Sequence, residues 1–250
     1  MEAYTDFANV YDTFMDETPY EEWSDFIVQL LREYKIEEGL VLDLGCGTGT
    51  LTELLAEQGY DMIGVDNSSQ MLSVAMQKKE KSALDILYLL QDMREFELYG
   101  TVKAVISVCD SLNYLLDEEE LVQTFSLVNN YLDPKGIFIF DFNTVYKYQE
   151  VIGDATIAEN REDCSFIWEN FYHKEEEINE YDLTIFVKEN EDCFRRFHEN
   201  HYQRGYRMSQ MKRALEKAGM EFIKAIDADT HEEITESSER IYCIARETGK

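Results

Sequence analysis

The residues whose types and spacing carry most chemistry are Asp43-x-Gly45-x-Gly47-x-Gly49. The run Leu40-Val41-Leu42-Asp43-Leu44 leads into them as a short buried strand does. Leu51, Leu54 and Leu55 follow at helical spacing, and Gly59 stops the pattern. Strand, glycine turn and helix make a βα unit. Its turn, lacking Cβ atoms, reaches positive φ and lets a ligand approach the backbone. The dinucleotide fingerprint G-x-G-x-x-G sets its third glycine one residue later. Here an acid also precedes the first glycine. A carboxylate there disfavours a pyrophosphate and suits a ligand carrying positive charge.

The amine and sulfonium of S-adenosylmethionine (SAM) fit that description. Asp43 to Thr50 resembles the first motif of the class I SAM-dependent methyltransferases, with Gly45, Cys46, Gly47 and Gly49 as the turn against the cofactor. Asp66 closes a second apolar run, 61–66, where a ribose-binding carboxylate belongs. Its two oxygens can accept from both ribose hydroxyls. The resemblance implies that Asn67 and Met71 lie near the adenine. It also implies that Asp92 accepts from the adenine amine, helped by the backbone of Met93. In similar enzymes the leading segment folds over the cofactor and a tyrosine touches it. Tyr11 is the candidate and Tyr4 the second, although packing alone explains either residue.

The acceptor side follows from the fourth apolar run, 104–108, which leads into Cys109-Asp110-Ser111-Leu112-Asn113-Tyr114. In a doubly wound sheet, ligands sit beyond the carboxyl ends of the strands. Cofactor and acceptor therefore meet here, and Asp110 faces one or the other. The Asn/Asp-Pro-Pro-aromatic motif, carried by similar enzymes that act on exposed bases or protein side chains, is absent. Further on, His201 is the plausible side-chain base, with Asp110 beside it as a candidate. Asn113, Asn143, His201 and Arg204 are the acceptor-side candidates; Arg204 either binds a substrate acid or ties an insert to the core. His198 and His201 are three apart, which on a strand sends them to opposite faces. No metal is expected.

The elements that must position these groups form an α/β fold. By resemblance it is a Rossmann-like, seven-stranded sheet with helices on both faces and its last strand antiparallel. Residues 1–144 and 205–250 form the SAM-binding domain, with 1–35 as a helical cap that includes an amphipathic helix over 20–34. Ser68 and Asp117 sit at helix caps, the latter with Glu120 in capping-box spacing. Residues 132–136 read as a turn before a fifth strand, 136–143. Ser209 reads as the cap of the helix over 209–218, and 220–227 with 240–246 as the closing strand pair. Between 145 and 204 the βα rhythm breaks. Three stretches of strand character (165–172, 180–188 and 194–202) predict an antiparallel insert, either a lid over the cleft or a dimer surface.

Composition bounds the rest. The chain has 250 residues, 44% of them apolar, enough for one α/β domain with an appendage. Acidic residues number 52 against 23 basic, for a net charge of −29. Such acidity disfavours nucleic acid, whose phosphates need Lys/Arg clusters. The five cysteines are scattered without metal spacing, and small buried filler accounts for Cys46 and Cys109 better than nucleophiles do. Reduced thiols and the absence of a charged-then-apolar leader at Met1-Glu2-Ala3-Tyr4 point to the cytoplasm. No apolar run approaches the ~20 residues of a membrane span. The expected activity is methyl transfer from SAM to nitrogen or oxygen of a small or medium-sized acceptor, by a monomer or homodimer. A SAM-binding partner protein without turnover, an RNA methyltransferase and a nicotinamide-dependent oxidoreductase are the alternatives.

Overall fold

The computed structural model describes residues 7–190 and 193–250. Tyr4, the second tyrosine candidate, lies outside them. Seven strands form one sheet: β1 (Gly39–Leu44), β2 (Tyr60–Asp66), β3 (Ile86–Leu90), β4 (Val102–Ser107), β5 (Leu132–Asn143), β10 (Met220–Asp227) and β11 (Arg240–Glu247). Their order is β10-β11-β5-β4-β1-β2-β3. β11 alone runs against the others, antiparallel to both β5 and β10. The order turns at β1 and β4, so the crevice of a doubly wound sheet opens beyond their carboxyl ends.

Alternation along the strands builds two cores. Leu42, Leu44 and Val105 face one side, under α5 (Glu118–Tyr131) and α6 (Met208–Lys217), with Phe125 and Leu215 packed on them. Val41, Ala104 and Ile106 face the other, under α2 (Tyr20–Glu33) and α3 (Thr50–Glu57), with Ile27 and Leu55. Burying each such large side chain contributes roughly 1.5–3 kcal/mol. α4 (Ser69–Ser82) starts at Ser68, whose hydroxyl accepts from the Met71 N–H. Asp117 caps α5 by accepting from the Glu120 N–H, and Glu120 reaches back to the Leu116 N–H, one residue before the usual capping-box donor.

Between β5 and α6 lies a separate four-stranded antiparallel sheet: β6 (Thr156–Asn160), β7 (Cys164–His173), β8 (Ile178–Asn190) and β9 (Cys193–Arg204). Its inner face packs Leu183 and Ile185 against Val10 of α1 (Ala8–Phe14), beside Phe14 and Phe166. α1 is thus held between the insert and α4, whose Lys78 pairs with Asp12.

Four local expectations needed correction. β6 was not anticipated, because Thr156–Asn160 is an edge strand with four of its five residues exposed and no apolar alternation. Within the helical cap over 1–35 the only helix located was that over 20–34, yet residues 8–14 form another, α1; the insert, distant in sequence, supplies the surface that holds it. β5 begins at Leu132 rather than 136, with a register shift and Lys135 at φ 66° marking the expected turn inside the strand. Ser209 is not the cap of α6, which starts at Met208 with Arg207 at its flank.

Candidate active site

β1 runs into the glycine turn, which is tied to β2 by Gly45 and Cys46 N–H groups donating to the Val65 carbonyl at 2.8 and 3.0 Å. Gly45 has φ 87°, and a Cβ there would fall 2.5 Å from the Ser111 hydroxyl. Gly47 has φ 53°, and a Cβ there would meet nothing within 4 Å, so the turn offers bare backbone to open space. The Gly47 and Ser68 N–H groups each donate at 2.8 Å to one oxygen of Asp66. Burial pushes Asp66 up, and these backbone donors pull it back. Asp43, 2% exposed, accepts from the Thr52 hydroxyl at 2.6 Å. Burial pushes its carboxyl up to about 7 against that bond, with the Asp66 charge adding to the effect.

These groups line a first cleft of about 970 Å³. Of the expected cofactor residues, Tyr11, Asp43, Gly45, Cys46, Gly47, Asp66, Asn67, Met71 and Met93 line it. Gly49 does not; it starts α3 with φ 75°. Asp92 does not either. Its carboxylate takes the Arg94 guanidinium at 2.9 and 2.6 Å, and that bond holds it below the usual carboxylate range. Gln91 faces the cleft instead, beside Tyr20, Thr48, Thr50 and Ser111, none of them expected. Among the described residues no Lys or Arg lines this cleft. Two carboxylates over a bare glycine floor fit a cationic adenosine derivative and leave a pyrophosphate without a counter-charge. α1 closes over the opening. Its Asp12 accepts from Thr48 at 2.6 Å and pairs with Lys78 at 2.5 Å.

A second cleft, about 930 Å³, meets the first at three shared residues: Tyr11, Cys109 and Tyr114. Asp110 lines this one rather than the first, together with Asn143 and His201. Cys109 and Asp110 both have left-handed backbones, φ 62° and 55°. Strain of this kind costs of order 1–3 kcal/mol per residue and needs a holder. Here it is Asp141, fully buried on β5, which accepts from the Cys109 and Asp110 N–H groups at 3.0 and 2.9 Å. Arg240 of β11 lies 3.6 Å from the same carboxylate. Burial pushes the Cys109 thiol up to about 12, consistent with filler rather than a nucleophile.

His201, 3% exposed, lies between Tyr114 (Nδ1 to Oη, 3.0 Å) and Glu199 (Nε2 to Oε2, 3.1 Å). Glu199 in turn accepts from the Phe7 N–H at 3.0 Å. His198 pairs with Asp182, and its side chain is far more exposed than that of His201, as opposite strand faces require. Asn113 and Arg204 line neither cleft. Asn113 is fully buried and ties β5 to β9, donating to the Asn143 and Arg204 carbonyls. Arg204 donates to the Leu116 carbonyl at 2.8 Å and lies 3.7 Å from Glu177, so it ties the insert to the core.

A methyltransferase-domain family model matches residues 41–136. Over 246 residues the chain is 38% identical to a protein of Bacillus subtilis (strain 168) named "Putative methyltransferase YqeM", a match covering 98% of this chain and 97% of that one. The fold superposes with a TM-score of 0.89 and 28% identity on the crystal structure of a SAM-dependent methyltransferase from Clostridium acetobutylicum ATCC 824. That superposition covers 99% of this chain and all of the other. A shorter match, 31% identical over 138 residues, is to the dTDP-3-amino-3,4,6-trideoxy-alpha-D-glucopyranose N,N-dimethyltransferase of Streptomyces venezuelae, covering 54% of this chain and 56% of that one.

Proposed function

Because the chain belongs to the class I SAM-dependent methyltransferases, we propose that it transfers a methyl group from SAM to nitrogen or oxygen of a small or medium-sized acceptor bound in the second cleft. One observation carries this: two clefts of different character open into each other across Tyr11, Cys109 and Tyr114. SAM, when bound, supplies a methyl group already activated by its sulfonium. Asp66 would hold the ribose hydroxyls, with Asn67, Met71, Gln91 and Met93 toward the base. Asp43 and the backbone of Gly45 to Gly47 would hold the cationic end. Tyr11 closes the cleft from α1.

The rest of the task is alignment of the acceptor and exclusion of water. Orientation alone can supply roughly 7–11 kcal/mol of the barrier. No side-chain nucleophile is needed, and burial keeps Cys109 protonated. His201 and Asp110 remain the candidate bases for an acceptor that must lose a proton. The insert serves as a wall of the acceptor cleft, and the free thiols suit a reducing compartment.

The test is titration calorimetry with SAM, S-adenosylhomocysteine and NADH, followed by product detection across a panel of amines and alcohols. Binding of the first two but not the third, with methylated product, is expected. Heat from NADH alone would remove the proposal. Binding with no product across the panel would favour a partner protein that senses SAM.

A further inference from the structure

What the acceptor must carry, given that the second cleft is the acceptor site, turns on Lys147. It is the one Lys or Arg that lines either cleft among the described residues. It lies half-buried just beyond β5, at the start of a single π-helical turn, Lys147–Ile152. Turns of that kind occur frequently at functional sites.

Other cations around the clefts have met carboxylates: Lys78 pairs with Asp12, Arg161 with Glu159, and Arg240 with Asp141. Lys147 differs from them. Its ammonium donates at 3.0 Å to Asn143 Oδ1, a neutral oxygen, and among the described residues no carboxylate pairs with it. An ammonium carries three hydrogens, so two are left for a guest.

The neutral oxygen is itself held firmly. Asn143 Nδ2 donates to Tyr148 Oη at 3.0 Å, and the Asn143 N–H donates to Asn113 Oδ1 at 2.9 Å. Tyr148 donates to Gln203 Oε1 at 2.5 Å, and Gln203 Nε2 donates to Asp110 Oδ2 at 2.5 Å. Lys147 is therefore partly ordered before any ligand arrives, which lowers the entropy lost on binding one. Its charge also acts inside the cleft. Burial pushes Asp110 up to about 6, and Lys147 is the next influence, pulling it back.

A counter-charge for Lys147 has to come with the ligand. Glu159, an acid of the same lining, is taken by Arg161, and Asp110 stands at the other end of the hydrogen-bonded chain. A neutral acceptor leaves the ammonium with an amide oxygen alone. A phosphate or diphosphate brings more negative charge than one cation beside Asp110 can match. A single carboxylate matches it. The aromatic part of the lining suits an apolar body: Phe14 packs edge-on to Phe166 at 4.9 Å between ring centres, and Trp168 lies 4.5 Å from Tyr181.

We propose that the acceptor is a monocarboxylic acid with an apolar, ring-sized body, and that Lys147 binds its carboxylate. Lys147 lines the second cleft alone, whereas Cys109, the neighbour of Asp110, lines both. The carboxylate is thus a handle, separate from the nitrogen or oxygen that is methylated.

The probes are 3-phenylpropanoate, its neutral isostere 3-phenylpropanamide, and 2-phenylethyl phosphate, titrated calorimetrically into the full chain saturated with S-adenosylhomocysteine at pH 8. The carboxylate should bind at least about tenfold tighter than the amide, since hydrogen bonds between charged groups are worth that much. It should also bind tighter than the phosphate. Lys147→Gln keeps a donor for Asn143 but removes the charge, and should abolish the preference; Lys147→Arg should keep it. Should the Gln variant melt early, salt carries the test: raising its concentration about tenfold should weaken the carboxylate several-fold and leave the amide unchanged. The proposal fails if the amide or the phosphate matches the carboxylate, if the carboxylate does not bind, or if the folded Gln variant binds it as well as the parent does. A chain that binds S-adenosylhomocysteine without carboxylate preference loses only this proposal. A chain that binds no S-adenosylhomocysteine loses the methyl-transfer reading as well.

Discussion

The two clefts share three side chains but are made of different material. The first is floored by main chain from a single βα turn, and its two key acids sit on adjacent strands, β1 and β2. The second is walled by side chains from α1, the segments after β4 and β5, the end of β5 and all four strands of the insert. A site made from one turn tolerates little change, because each backbone N–H has one direction. A site assembled from side chains on several elements can change its occupant by substitution while the fold stays as it is. Three experiments press on that contrast.

The largest effect should come from Asp66→Ala. It removes the carboxylate that holds the Gly47 and Ser68 N–H groups and the proposed ribose contact. Two charge-assisted bonds lost correspond to roughly 100-fold or more in affinity for S-adenosylhomocysteine, measured by calorimetry. A loss under about fivefold would break the idea that the first cleft depends on its backbone turn.

A smaller effect concerns Asp43, whose folded carboxyl is pushed up to about 7 from an ordinary value near ~3.9. Between those values the folded chain keeps a proton that the unfolded chain has lost. Stability of the ligand-free protein therefore falls as pH rises through that window. Asp43→Asn should raise the melting temperature at pH 8 by a few degrees, since Asn still accepts from Thr52. SAM affinity should move the other way, weakening up to about tenfold per unit as pH drops below 7 and the carboxylate is lost. A flat profile from pH 8 to 5.5 would detach Asp43 from the cationic end of the ligand.

The smallest effect belongs to the closing helix. Asp12 and Lys78 are partly exposed, and such pairs contribute at most about 1 kcal/mol. Asp12→Ala should speed S-adenosylhomocysteine release only a few-fold in stopped-flow measurements. A change of about 100-fold would mean that α1, not the turn, retains the ligand.

The same contrast explains what was legible in the chain. The first cleft is written in short range: Asp43, Gly45, Gly47 and Asp66 lie within 24 residues, and their spacing encodes the turn. Asp92 stands outside the lining of the first cleft, with Arg94, two residues on, taking its carboxylate, and residue types alone do not reveal that competition. The second cleft depends on contacts across 90 residues or more, such as Gln203 with Asp110 and Phe7 with Glu199. Asp110, Asn143 and His201, which line the second cleft, were legible as candidates because they sit at strand ends or just before a helix. Tyr181 and Gln203 line it as well but were not among the candidates, since each reads as ordinary strand filling until the insert folds back. Tyr114 lay inside the segment singled out after the fourth strand, and its aromatic hydroxyl was the available signal.

Tyr11 stands in the partition between the two clefts, and its hydroxyl lies 3.8 Å from the Cys109 sulfur. Any displacement that one guest imposes on that ring is felt by the other. Thermodynamic linkage makes such an influence mutual: whatever factor the first occupant adds to the affinity of the second, the second returns to the first.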